Sequence, residues 1–249
     1  MVINDYQTAA KIIKDSKFPV AFTGAGISVE SGIPPFRGPT GLWSKYDPKI
    51  LDIDFFMSNP AESWKYIKEI FYDYMGNTQP NDAHKFLAWL EEIGKLKGVI
   101  TQNIDNLHQK AGSKKVIEFH GTANKMECID CKRKFYSDSI SLETLPPLCP
   151  ECQGILKPDF VFFGEPIPPK AFEESIRLCE NADCLIVVGT TGEIMPASQL
   201  PILAKQNGAK IIEINIEPSN YTNSITDIFL NDKATVASNK LKEELKGII

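Results

Sequence analysis

The chain has 249 residues, 43% hydrophobic and 24% charged, the make-up of a folded globular protein and not of a disordered or fibrous one. At about 150 residues per domain its length allows between one and two domains. Lys+Arg 27 against Asp+Glu 32 gives a net charge of −5, which weighs against strong non-specific nucleic-acid binding, and apolar runs such as Cys184 to Val188 are far too short to span a bilayer.

In chain order, residues 5–16 read as an amphipathic helix with Ala9, Ala10, Ile12 and Ile13 on one face. A strand at 19–23 runs into Gly24 and Gly26. Residues 34–48 hold four prolines and read as loop. Helices are predicted at about 61–75 and 82–94, the second capped by Asn81. Strands follow at 99–101, before Gln102, and at 116–119, before His120. Residues 123–157 have little apolar periodicity. A strand at 159–163, a helix near 169–181, the strand Cys184 to Val188, a helix at about 197–207, a strand at 210–215 and a closing helix at about 236–247 complete the reading. Apolar strands alternating with helices predict an α/β fold with a Rossmann-like, doubly wound parallel sheet. In such folds the ligand sits outside the carboxyl ends of the strands, here marked by Gly24, Gln102, Gly189 and Asn215. The N-terminus, Met1-Val2-Ile3-Asn4-Asp5, lacks the basic-then-apolar layout of a secretory leader, so the expected location is the cytoplasm.

Six cysteines break this ordinary pattern. Cys128-x-x-Cys131 and Cys149-x-x-Cys152 are separated by seventeen residues, the spacing of a four-cysteine structural zinc site. Four thiolates leave no open position on a tetrahedral metal, so the zinc is expected to be structural. Residues 123–157 carry five basic and five acidic side chains, which gives this module no basic face for nucleic acid. Cys179 and Cys184 read as small core residues.

The segment Gly24-Ala25-Gly26-Ile27-Ser28-Val29 follows a strand, as a phosphate-cradling turn should. As a GxGxxG fingerprint it is weak, because Val29 takes the place of the third glycine and no acidic residue ends a second strand about twenty residues on. Its continuation, Ser31-Gly32-Ile33-Pro34-Pro35-Phe36-Arg37-Gly38, is more specific and resembles the signature loop of the sirtuins, the NAD-dependent protein deacylases of the silent-information-regulator type. Thr101-Gln102-Asn103-Ile104-Asp105, Glu118-Phe119-His120-Gly121, the paired cysteines, Lys157 through Glu165, Gly189-Thr190-Thr191 and Ile214-Asn215-Ile216-Glu217 are similar to that family's further motifs, in order and over nearly the whole chain.

The resemblance implies one nucleotide-binding domain from residues 1–37, 81–122 and 158–249, a helical insertion at 38–80 and a zinc-ribbon insertion at 123–157. It implies that NAD is a co-substrate, that acetyl-lysine on a protein or peptide is the substrate, and that the acyl oxygen attacks the nicotinamide ribose as nicotinamide leaves. His120 is then the general base, with a side chain that titrates near working pH; an isolated histidine, without the flanking motifs, reads better as a core residue bonded to a carbonyl. Asn103 and Asp105 join His120 as expected catalytic residues. Gln102, Asn103, Ile104 and Asp105 form the nicotinamide and ribose pocket, although Asp105 could equally cap the following helix. Gly24, Ala25, Gly26, Ser28, Val29, Phe36 and Arg37 line the cofactor side of the signature loop, where Arg37 serves the diphosphate or orders the loop. Gly189, Thr190, Thr191, Asn215, Glu217, Lys233 and Ala234 fall on the adenosine side; the family commonly has Ser where Thr191 stands. Val161, Phe163, Gly164 and Glu165 belong to the segment that pairs with the peptide as an added strand. Cys128, Cys131, Cys149 and Cys152 hold the zinc. His84 is expected to be structural and His108 to pack beneath the site.

Relatives that take negatively charged acyl groups carry Tyr-x-x-Arg on the helix after the signature loop. This chain has no arginine between Arg37 and Arg133, and Ile67 and Ile70 are read at the corresponding helix. A neutral acyl group is therefore expected, since a carboxylate buried without a partner is costly. The alternatives are a mono-ADP-ribosyltransferase on the same fold, a hydride-transfer enzyme, which the degraded fingerprint opposes, and a non-catalytic zinc-ribbon module. No nucleic-acid or membrane partner is expected, and a monomer is.

Overall fold

The computed structural model describes residues 4–36, 38, 41–76 and 78–249. The first helix, α1 (Asp5–Asp15), begins at a capping box: Asn4 Oδ1 accepts the Gln7 N–H at 2.9 Å, and Gln7 Oε1 accepts the Asn4 N–H at 3.3 Å. Its apolar stripe buries Ala9, Ala10 and Ile13. Six strands follow the chain into one sheet: β1 (Pro19–Thr23), β2 (Val99–Thr101), β3 (Val116–Glu118), β7 (Cys184–Val188), β8 (Lys210–Asn215) and β9 (Ile228–Asn231). Their spatial order is β3-β2-β1-β7-β8-β9, and every neighbouring pair is parallel. All residues of β1 and β7 are buried. Helices cover both faces of these central strands, so their side chains, Thr23 at the end of β1 excepted, are apolar and do not alternate.

On one face α1, α4 (Asp82–Glu92) and α8 (Ala234–Lys246) pack Ala10, Ile13, Phe86, Leu90, Leu241 and Leu245 onto Ala21, Ile186 and Ile212. On the other, α6 (Pro169–Asn181) and α7 (Gln199–Gln206) pack Leu178, Cys179, Leu200 and Ala204 onto Val20, Phe22, Leu185 and Ile211. Cys179 and Cys184 are both fully buried, as expected of core residues.

A second body of structure sits beside the β2 and β3 ends. It contains α2 (Ile53–Ser58), α3 (Pro60–Ile67), the short helix α5 (Leu107–Lys110) and an antiparallel sheet of β4 (Gly121–Cys128), β5 (Lys134–Tyr136) and β6 (Leu156–Phe160), in the order β5-β4-β6. The helical segment and the cysteine module share one core, in which Phe56, Trp64, Ile67, Ile70 and Phe71 meet Met126, Cys128, Cys149, Leu156, Phe160 and Phe162. Trp64 Nε1 donates to Leu156 O at 2.8 Å across this junction. Each fully buried side chain of this size contributes about 1.5–3 kcal/mol of hydrophobic stabilisation.

Several elements differ from the sequence reading. The helix expected over 61–75 is α-helical only to Ile67, and Lys68–Tyr74 winds more widely as a π-helical stretch. That winding lets adjacent Ile70 and Phe71 both reach the core alongside Ile67. The 34–48 loop contains a 3-10 turn, Leu42–Ser44. The strand expected at 159–163 is displaced to Leu156–Phe160, because the Val161 N–H turns to His120 O at 2.9 Å and the chain bends away. β9 carries no signal in the sequence beyond three apolar residues.

Candidate active site

The strand order reverses direction between β1 and β7, and there the two glycine turns interlock. Gly24 N–H donates to Val188 O at 3.0 Å, Gly26 N–H to Gly189 O at 2.8 Å, and Gly189 N–H to Ile214 O at 3.0 Å. Gly189 adopts φ 64°, and a Cβ placed on it would lie 2.3 Å from Ile27 N. A Cβ on Gly26 would lie 2.6 Å from Gly189 Cα. Backbone therefore meets backbone at the crevice, and its floor is left without side chains. Beyond it, Gln102 Nε2 donates to Thr190 Oγ1 at 3.0 Å and Asn215 Nδ2 to Thr190 O at 3.1 Å, which ties the ends of β2, β7 and β8 together.

A directional hydrogen-bond network stands behind this edge. Asn103 Nδ2 donates to Gly24 O at 3.1 Å and to Ser28 Oγ at 3.2 Å, and Ser28 Oγ donates to Asp105 Oδ2 at 2.7 Å. The other Asp105 oxygen accepts the Leu107 N–H at 3.0 Å, so the carboxylate starts α5 as well. Burial pushes the Asp105 carboxyl above its ordinary value, and the Leu107 and Ser28 hydrogen bonds oppose that rise. His84 Nδ1 lies 3.3 Å from Asn81 N and 3.1 Å from Asn81 Oδ1, and His84 Nε2 lies 3.4 Å from Ser28 Oγ. Thr23 Oγ1 donates to Thr101 Oγ1 at 2.9 Å and so accepts from His108 Nε2, also at 2.9 Å. Both histidines are buried and neutral. Desolvation pushes His84 down to about 4 and His108 well below its ordinary value.

His120 lies between the crevice and an apolar recess. Its Nδ1 is 3.0 Å from Gln102 O. A carbonyl only accepts, so Nδ1 carries the hydrogen and Nε2 keeps a free lone pair. Burial lowers the His120 pKa, and the Gln102 bond offsets part of that fall.

One cavity of about 1020 Å³ joins these parts. It runs from Asn215, Glu217, Lys233 and Ala234, past Gly24, Ala25, Gly26, Val29, Gly189, Thr190 and Thr191, to Gln102, Asn103, Ile104 and His120. It ends among Phe36, Trp43, Leu51, Phe71, Phe160, Val161, Phe162, Phe163, Gly164 and Glu165. The size suits a dinucleotide together with a second, slender group.

Of the residues singled out in the sequence, Ser28 and Asp105 are not in the cavity wall; they stand behind Asn103, bonded to each other. Arg37 lies outside the described residues. Ile67 and Ile70 are core residues, and Phe71 is what their helix presents to the cavity. Glu165 reaches the wall, but its carboxylate is held by Lys157 at 3.0 Å and by the Phe162 N–H at 2.8 Å. The sequence reading missed the aromatic recess of Trp43, Phe71, Phe160 and Phe162. The resemblance points to Val161, Phe163, Gly164 and Glu165 in this segment, whereas the bend at 161–165 brings Phe160 and Phe162 to the cavity as well. Among the described residues of the wall, Lys233 is the one cation, and it sits at the β9 end away from the recess.

The four cysteines form a separate centre. Their Sγ atoms all lie within 4.8 Å of one another, with Cys128–Cys152 at 3.5 Å and Cys131–Cys149 at 3.8 Å. A tetrahedral zinc with Zn–S bonds of about 2.3 Å requires S···S edges of about 3.8 Å. The donor set and its spacing fit the metal, with four soft ligands and no place for a substrate.

A family model described as the Sir2 family matches residues 24–196. The NAD-dependent protein deacylase 2 of Pyrobaculum aerophilum is 44% identical over 241 residues, covering 95% of this chain and 94% of its own. The NAD-dependent protein deacetylase of Thermotoga maritima is 40% identical over 235 residues, covering 93% of this chain and 95% of its own. Among solved structures, a mutant Sir2 homologue in complex with ADP-ribose superposes with a TM-score of 0.92 at 40% identity, covering 96% of each chain. A Sir2 structure with a p53 peptide and NAD+ superposes at 0.89 with 37% identity over 100% of both chains. With the sheet, the crevice, the buried histidine beside it and the four-cysteine cluster in place, the chain belongs to the Sir2 family.

Proposed function

We propose that this protein is an NAD-dependent protein lysine deacetylase that transfers the acetyl group of acetyl-lysine to ADP-ribose and releases nicotinamide. The observation that carries the reading is the position of His120. His120, whose Nε2 keeps a free lone pair, lines one cavity between a dinucleotide crevice and an aromatic recess. When bound, NAD supplies an electrophilic ribose carbon that the acyl oxygen captures as nicotinamide leaves. The chain's own part is to bind, orient and move one proton.

The glycine turns at 24–26 and 189 admit the diphosphate to the backbone, and Thr190, Thr191, Asn215, Glu217, Lys233 and Ala234 hold the adenosine half. Gln102, Asn103 and Ile104 form the nicotinamide end. Asp105 keeps Asn103 in place through Ser28, and a direct contact with the carboxamide requires its carboxylate to exchange Ser28 for the amide. His120 Nε2 takes the proton of a ribose hydroxyl. The extended backbone from Val161 pairs with the peptide, and the acyl-lysine enters the recess between Phe71, Phe160 and Phe162. Transfer of ADP-ribose to a protein side chain would use the crevice but leave this recess without a purpose. The four cysteines hold a structural zinc. The enzyme is read as a cytoplasmic monomer without nucleic-acid partners; no helix among the described residues is long and apolar enough to cross a membrane.

The recess also sets the acyl group. Among the described residues its walls are aromatic and aliphatic with no free cation, so an acetyl or longer neutral chain is desolvated at little cost, while a succinyl carboxylate would be buried unpaired. Turnover of one peptide carrying acetyl-, butyryl- or succinyl-lysine tests this. The neutral substrates are expected to exceed the succinyl one in kcat/KM by about a hundredfold or more, the equivalent of roughly 3 kcal/mol. Faster desuccinylation would overturn the reading of the recess.

A further inference from the structure

β6 contains a lysine that the proposed chemistry does not use. The Lys157 side chain is only 12% exposed, and its ammonium offers three N–H donors. Three acceptors meet them: Pro158 O at 2.9 Å, Phe160 O at 2.8 Å and Glu165 Oε2 at 3.0 Å. The Phe162 ring faces the same ammonium, with Nζ 4.2 Å from its centroid, a cation–π contact. The Glu165 oxygen that receives Lys157 also accepts the Phe162 N–H at 2.8 Å, and the Glu165 N–H returns to Phe162 O at 3.0 Å. Gly164, at φ 91°, turns the chain between them. Residues 157–165 thus close around one ammonium.

A buried ion pair is weak evidence for net stability, because desolvation consumes much of the attraction. Its effect here is geometric. Phe160 and Phe162 are cavity walls, and Val161 between them donates its N–H to His120 O at 2.9 Å. The contact that fixes the bend therefore fixes the recess relative to the base. Burial works to lower the Lys157 pKa and the Glu165 carboxylate works against it, so each partner leaves the other stranded if removed.

We infer that Lys157 and Glu165 are positioning residues for the acyl-lysine substrate, an internal latch that holds the 160–165 bend so that the aromatic recess and His120 keep their spacing. The inference rests on the deacetylase reading above. The dinucleotide crevice, built on the ends of β1, β7 and β8, does not involve this latch.

Initial rates measured with NAD and an acetyl-lysine peptide varied in turn separate the two halves of the cavity. In Lys157→Met and Glu165→Gln the KM for the peptide is expected to rise about tenfold, with the KM for NAD and the calorimetric affinity for ADP-ribose within about twofold of wild type. Lys157→Arg should recover most of the loss, since it keeps the charge and the donors. Glu165→Gln retains an acceptor for the Phe162 N–H and gives the deciding result if Lys157→Met does not fold. A folded Glu165→Gln with unchanged peptide KM, or with KM raised equally for both substrates, overturns the latch. A wild-type enzyme with no turnover of the acetyl-lysine peptide overturns the deacetylase reading itself, and the latch with it.

Discussion

At His120 one backbone hydrogen bond decides which nitrogen is left free to take a proton. Gln102 O fixes the hydrogen on Nδ1, and burial holds the ring's pKa below the ordinary 6.5, so Nε2 stays a free base through neutral pH. The acid limb of kcat/KM should therefore have its inflection below pH 6.5, and His120→Ala should lower kcat by at least about 10²-fold while ADP-ribose still binds. An inflection above that value would contradict the dominance of burial over the Gln102 hydrogen bond. His84 and His108 act on stability instead. The folded pKa of His84 is about 4 against 6.5 unfolded, so between these values the unfolded chain binds more protons and stability falls with pH. His84 alone should cost roughly 3 kcal/mol by pH 4, with His108 adding in the same direction. Thermal melts from pH 7.5 to 4 should show a steep loss below about 6.5, and a shallower loss in His84→Gln would assign the difference to His84. The family resemblance of the motifs made most of the cavity wall legible. It did not reveal that Ser28 and Asp105 face each other behind Asn103, because that depends on packing between segments distant in sequence.

Among elements, the sequence reading succeeded where burial imposes a pattern. Cys184–Val188 and Pro19–Thr23 are buried on both faces and read as unbroken apolar runs. It failed where another constraint organises the chain. β4, β5 and β6 are arranged around four thiolates, and metal ligation needs no apolar periodicity. The Lys68–Tyr74 π-helical stretch is set by the shared core that Ile70 and Phe71 must enter, not by local propensity. Since Cys128 and Cys149 belong to the same cluster as Trp64, Phe71, Phe160 and Phe162, the zinc module and the recess should fail together. Cys128→Ser, or removal of the metal with a chelator, is expected to lower the melting temperature sharply and abolish peptide turnover. Full activity and an unchanged melt after proven metal loss would show that the centre is not a folding element.

Across the whole molecule, the chain solves two problems with two cores. The parallel sheet β3-β2-β1-β7-β8-β9 presents the ends of its strands to a dinucleotide, and the smaller body stands over those ends and closes a recess for an acyl side chain. The sequence reading treated residues 38–80 and 123–157 as two separate insertions. The structure packs side chains from both stretches into one cluster, and no periodicity could have announced this, because each stretch supplies only part of the cluster. The arrangement places His120 where the two bodies meet, and from that junction comes the claim that acyl transfer and nicotinamide release are one coupled event. The direct test is to incubate the protein with NAD and an acetyl-lysine peptide and to quantify nicotinamide, deacetylated peptide and acetylated ADP-ribose together. The account predicts that the three form in equal amounts and that nicotinamide release is negligible without the acetyl group. ADP-ribose attached to protein, or nicotinamide released without loss of acetyl from the peptide, would contradict it.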